Sequence, residues 1–213
     1  MLNEENPFSA EIPTAPANVE PQPEMSLEEV KKAISKMKFG KAPGPDEVNL
    51  EMILALGDEG VLWVHRVMQA IWKGKRVPND WLESILVPIF KKKGNIHECG
   101  NYRGIKLLLQ LMKCLERIID ARIRLIVNEQ LGEEPFGFRK GCGTTDALFI
   151  LRQLNERKLE FGQDGYWGFL DLEKAYNKIN RQMIAPILML YGVPEEIVTM
   201  VTAMYRTPTT RVR

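Results

Sequence analysis

The sequence predicts an α+β fold, and three features carry that prediction. A long apolar stripe recurs at helical spacing between Leu108 and Ile126. Two short apolar runs flank a polar loop between residues 83 and 107, and an aromatic-rich run covers residues 165 to 172. With 213 residues, 45% of them hydrophobic, the chain is long enough to bury a core as one or two domains.

Taken in order, residues 1 to 25 hold Pro7, Pro13, Pro16, Pro21 and Pro23 among acidic and small side chains. Such a segment buries too little apolar surface to offset its ordering entropy, so a flexible linker is expected. A helix starts at Ser26, with Glu29 three residues on to complete a capping box and Val30, Ala33, Ile34 and Met37 at helical spacing. Gly40, Pro43, Gly44 and Pro45 force a loop. Residues 50 to 74 read as helix interrupted at Gly57, with Trp63, Val67, Ile71 and Trp72 in the core.

After Pro78 the period changes. Glu83 to Phe90 and Tyr102 to Leu107 read as paired strands around the polar loop Lys91 to Gly100. In the helix that follows, Leu111, Met112, Leu115, Ile118, Ile119 and Ile123 form the stripe, while Arg117 and Arg124 fall off it. A further helix is expected from Thr145 to about Phe161, a strand over 165 to 172, helices near 181 to 191 and 194 to 206, and the start of a strand at TTRVR.

Net charge is +1, which says nothing about a polyanionic partner, but the charge is unevenly distributed. Residues 1 to 60 carry 12 acidic and 5 basic side chains, whereas residues 91 to 124 carry 9 basic and 3 acidic. That asymmetry fits either an anion-facing surface or a solvated basic helix face. Three widely spaced cysteines, Cys99, Cys114 and Cys142, do not form a disulfide framework, so reducing surroundings are expected. His97 and Cys99 lack a second ligand pair at zinc spacing. No apolar run approaches ~18 residues, so no membrane contact is expected.

Three segments could carry chemistry. In KAPGPDE, residues 41 to 47, two prolines and a glycine fix a turn and Asp46 can cap the next helix, which reads first as a rigid connection. In residues 87 to 108, Lys91, Lys92 and Lys93 end one strand and Arg103 begins the other. Paired strands would gather these cations at one end of a ribbon, suited to a phosphate tail or simply to a solvated sheet edge. In residues 167 to 181, alternation puts Asp171 on one face with Phe169 where strand gives way to helix. A carboxylate there suits a magnesium ligand, and equally a helix N-cap.

Six segments occur in register: KAPGPDE, residues 81 to 94 (WLESILVPIFKKKG), NYRGIKLL, ERIIDARI, residues 136 to 154 (FGFRKGCGTTDALFILRQL), and FLDLEKAY. Together they resemble the reverse transcriptases of non-LTR (LINE-type) retrotransposons from residue 26 to the end. The resemblance implies a right-hand polymerase fold, with residues 26 to 160 as fingers and first palm helices and 161 to 213 as the start of the palm. It implies RNA-directed DNA synthesis on an RNA template and a DNA primer from dNTPs, inside the cell, with two Mg²⁺ ions. Asp171 matches the first metal-binding aspartate and Leu172 the neighbour whose carbonyl also holds metal. Tyr176 matches the aromatic gate under the sugar. Arg103, with one of Lys91, Lys92 and Lys93, matches the cations that hold the incoming triphosphate.

The family's aromatic-Ala-Asp-Asp hairpin, its Gln-Gly segment and its thumb find no match in these residues, so a region truncated before the palm hairpin, and inactive alone, is expected. An upstream endonuclease domain would suit the acidic, proline-rich start. Two other readings fit the same residues: a non-catalytic nucleic-acid-binding remnant using residues 91 to 124, and a relic whose exposed apolar surface aggregates.

Overall fold

A computed structural model describes residues 15–132, 136–137, 141–172 and 175–213, with the side chains of 177 and 178 left aside. The chain divides into two compact units, one built from residues 10–126 with 181–213 and the other containing residues 127–180.

The first unit opens on residues 15 to 25, and the second half of the expected linker is held in place. Asn18 bridges to Pro194 and donates from Nδ2 to the Gly192 carbonyl (3.0 Å), and the Gln22 amide donates to Glu196 (2.9 Å). Residues 1 to 14 lie outside the described residues. Helix α1 (Leu27–Ser35) starts with the expected reciprocal cap: Ser26 accepts from the Glu29 amide and Glu29 accepts from the Ser26 amide. Helix α2 (Leu50–Ala55) is capped by Asn49, and α3 (Gly57–Gly74) follows after a break at Leu56. The buried line of α3 is Val64, Met68, Ile71 and Trp72, while Trp63, expected in the core, is half exposed. One residue is a rotation of about 100° on a helix, so a stripe anchored at Val64 turns Trp63 to solvent.

Strands β1 (Glu83–Phe90) and β2 (Tyr102–Leu107) pair antiparallel, from Phe90 opposite Tyr102 to Ile85 opposite Leu107. Helix α4 (Gln110–Val127) then buries Leu111, Met112, Leu115, Ile118 and Ile119. Its start packs against the proline-glycine turn so tightly that a Cβ on Gly44 would lie 2.6 Å from the Leu109 nitrogen. Helices α5 (Thr144–Glu160), α6 (Ile184–Leu190) and α7 (Glu195–Met204) and strand β3 (Thr209–Val212) complete the order. β3 pairs parallel to β1 through Ser84 and Leu86, giving the order β2-β1-β3. The fold is α+β, with its core at Met25, Val30, Met68, Leu115, Ile118, Ile197 and Met200.

Arg122 clasps this core. It sits on the apolar stripe of α4, four residues after Ile118, and is only 8% exposed. Its guanidinium donates to both Glu29 oxygens (2.7 and 2.9 Å) and to the carbonyls of Pro23 (2.9 Å) and Glu24 (3.1 Å), and it lies 4.7 Å from the Trp72 ring centre. One of the nine basic residues between 91 and 124 thus serves structure. Arg124, bonded to Asp120 at 2.8 Å, is another that is already paired.

In the second unit α5 begins at Gly143, whose amide donates to Asp146 (2.7 Å), and no residue of α5 is buried. The strand expected over 165 to 172 does not form: these residues are irregular, and Tyr166, Phe169 and Leu170 are exposed. Aromatic content favours a pleated, half-buried surface only where a neighbouring strand takes up the backbone groups. Among the described residues no strand pairs with this run.

Candidate functional site

The hairpin builds the better-defined part of the site. Ile85, Val87, Ile89, Arg103, Ile105 and Leu107 share one face, because partners in register point the same way and side chains alternate along each strand. Arg103 stands directly across from Ile89, at the loop end, and is exposed. The loop is folded on itself. The Asn101 side chain donates to the Asn95 carbonyl (2.8 Å) and to Glu98 (3.1 Å), the His97 amide donates to Asn95 Oδ1 (3.0 Å), and Tyr102 donates to the Ile96 carbonyl (2.9 Å). Phe90 and Tyr102 close its base, ring centres 5.4 Å apart. Gly94, at φ +84°, fits beside Asn101, where a Cβ would approach the side-chain amide to 2.5 Å.

This geometry separates three lysines that are equivalent in the sequence. Lys91 is tied into the loop: its amide donates to the Asn101 carbonyl (2.8 Å) and its Nζ to the Gly100 carbonyl (2.9 Å). Lys92, held at φ +57°, and Lys93 are exposed and, with Arg103, have no ion pair or hydrogen bond from their side chains among the described residues. Three cations without a partner among the described residues therefore stand at one end of a short ribbon, where they can meet an anion without first giving up such a partner.

The remaining expected residues belong to the second unit. Asp171 and Leu172 lie exposed in the irregular run, and Tyr176 is exposed on a single 3₁₀ turn, Ala175–Lys178. Asp171 is not placed at the tip of a strand as the alternation suggested. Among the described residues no three His, Cys, Asp or Glu side chains gather as a metal site. Residues 138–140 of the FGFRKGCGTT segment and Glu173 lie outside the described residues.

The family model described as "Reverse transcriptase (RNA-dependent DNA polymerase)" matches residues 90–212, from the end of β1 to the end of β3. The chain belongs to the reverse transcriptase family. It is 27% identical over 196 residues to a probable RNA-directed DNA polymerase from transposon BS of Drosophila melanogaster, covering 89% of this chain and 20% of that protein. It is 26% identical to the RNA-directed DNA polymerase from mobile element jockey of the same fly, covering 82% of this chain and 18% of the relative. A probable polymerase from transposon X-element, also of Drosophila melanogaster, is 30% identical over 155 residues, with 71% and 17% covered. The chain thus spans about a fifth of the length of these relatives. The kinship with non-LTR retrotransposon reverse transcriptases expected from the six segments is borne out.

Proposed function

We propose that this chain is the nucleotide-facing part of an RNA-directed DNA polymerase of a non-LTR retrotransposon, with residues 26–160 as fingers and first palm helices and 161–213 as the start of the palm. The observation that carries this is the hairpin end, where Arg103, Lys92 and Lys93 stand exposed and, among the described residues, unpaired, within the segment matched to the family. In this reading the three cations take the incoming triphosphate: Arg103 grips two oxygens with its planar fork, and the lysines follow as mobile point charges. Their chemistry is positioning and charge neutralisation, holding the nucleotide and offsetting charge that develops on the leaving pyrophosphate.

Asp171 is proposed as one metal-binding carboxylate, with the Leu172 carbonyl beside it, and Tyr176 as the aromatic against the sugar. A divalent metal, Mg²⁺ in this reading, supplies Lewis-acid stabilisation of the reacting oxygens when bound. RNA template and DNA primer are the proposed partners. Polymerisation is proposed to need carboxylates beyond those that residues 1–213 assemble, so the isolated chain binds nucleotide and does not extend a primer.

The test is titration of the purified chain with a dNTP. Arg103→Ala removes a charge-assisted, forked contact worth about 1.5–3 kcal/mol, so affinity should fall roughly 10- to 100-fold. Lys92→Ala and Lys93→Ala should cost more than Lys91→Ala. Unchanged affinity in Arg103→Ala would refute the assignment of the hairpin.

A further inference from the structure

A second cationic feature lies in the same unit, away from the loop end of the hairpin. Lys38, Lys41, Lys106, Lys113 and Arg117 line one cavity of about 320 Å³ together with Gln110, and no carboxylate is among its lining residues. None of these five cations has a salt bridge or side-chain hydrogen bond among the described residues. Asp46 and Glu116 act as counter-charges on Lys113, with Glu116 also acting on Arg117. Burial pushes the Glu116 carboxyl up despite the pull of Lys113 and Arg117, and burial also brings Lys113 down. Cations gathered in this way repel one another, and Lys113 among them is also partly desolvated, costs that an anion in their midst removes.

The fold holds the arrangement firmly. Gly44 seats the KAPG turn on the backbone of Leu108 and Leu109, and Lys41 of that turn lines the cavity with Gln110 and Lys113 of α4. The N-terminus of this 18-residue helix adds partial positive charge on the same side. Gln110 is 3% exposed, lines the cavity, and has a buried Nε2 with no hydrogen-bond partner among the described residues. A buried donor without a partner is uncommon enough to call for one from outside the chain.

We propose that this cavity binds the phosphodiester backbone of a nucleic-acid strand, at a site separate from the Arg103 end of the hairpin. Arg103 and Lys106 point to opposite faces of β2 and lie about 10 Å apart along it. The free edge of β2 supplies Ile105, Lys106 and Leu107 in succession, so apolar walls for a sugar run beside the charges. The cavity is larger than one phosphate needs, and four of its five cations are lysines, point charges that follow a backbone without fixing one geometry. The assignment deepens the polymerase reading and rests on it for the choice of nucleic acid over other polyanions.

The test measures binding of a labelled single-stranded oligo(U) RNA by the full chain across a KCl series. Lys41 and Lys106 are both exposed, so Lys41→Gln/Lys106→Gln should fold normally and lower the slope of log K against log[KCl] by about 0.7 per lysine. Gln110→Leu should weaken RNA binding while raising the melting temperature, a combination that a purely structural glutamine would not give. An unchanged slope in the double variant, or no RNA binding by the unaltered chain, overturns the proposal. Titration with inorganic phosphate alone is the second arm. Saturable phosphate binding lost in the double variant, with the RNA slope unmoved, assigns the cavity to a free phosphate and also overturns it. If the slope falls but the chain binds no dNTP, the hairpin assignment fails and the strand site stands.

Discussion

Replacing Arg122 by alanine tests whether the clasp in the first unit holds its helices together. The guanidinium makes four hydrogen bonds, two to Glu29 and two to backbone carbonyls, from a position that is 8% exposed. Hydrogen bonds to a charged group contribute about 1.5–3 kcal/mol each, but they do not add, and breaking a buried pair costs about 3–5 kcal/mol in total. The Glu29 side chain keeps 32% of its surface in water and can resolvate, which places the expected loss near the lower end, about 3 kcal/mol. With a urea m-value near 2 kcal/mol/M, the midpoint should fall by roughly 1.5 M. Tryptophan fluorescence reads this well, because Trp63, Trp72 and Trp81 all lie in the unit concerned.

The effect should also depend on pH. Burial raises the Glu29 carboxyl, but hydrogen bonds and charge from Arg122, with hydrogen bonds from Ser26, outweigh it, and the net shift is downward from 4.5. A depressed carboxylate contributes stability that is present above its unfolded value and is lost as pH falls through its folded value. The gap between native chain and Arg122→Ala should therefore narrow in acid below about pH 4.5. A loss under about 1 kcal/mol at neutral pH, the size of a surface substitution, would refute the clasp.

Two further outcomes are expected. Burial raises the Cys114 thiol to about 12, so at pH 8 iodoacetamide should modify exposed Cys99 and leave Cys114 intact until denaturant is added; labelling of Cys114 in the native chain would contradict its burial. Gly44→Ala should destabilise the first unit by about 1–3 kcal/mol in thermal unfolding, because the added carbon meets backbone atoms of Leu108 and Leu109 at 2.6–2.8 Å; a neutral result would mean that the turn is not seated on α4.

Much of the fold was legible because the signals are local. Ser26 and Glu29 form their cap within one turn of helix, and the alternation in 83–90 and 102–107 needs only its own strand partner, which follows after a short loop. The run at 165–172 failed for the opposite reason. A strand's backbone groups need a neighbour from elsewhere in the chain, and aromatic composition at Tyr166, Trp167 and Phe169 cannot supply one. Arg122 does not stand out in the sequence, being one of nine basic residues between 91 and 124; its spacing from Ile118 is the sign that it faces inward.

The sequence by itself determined family membership, the hairpin and most helices, because residue order and short-range periodicity encode them directly. Tertiary structure alone decided which cations are free. Lys91, Lys92 and Lys93 are identical in chemistry, and only the folded loop ties Lys91 to Gly100 and leaves the other two without a partner among the described residues. It also decided that Lys38 and Lys41 share a cavity with Lys106 and Lys113, some seventy positions later. Charge acts through space, so side chains far apart along the chain become one electrostatic site only when packing brings them together.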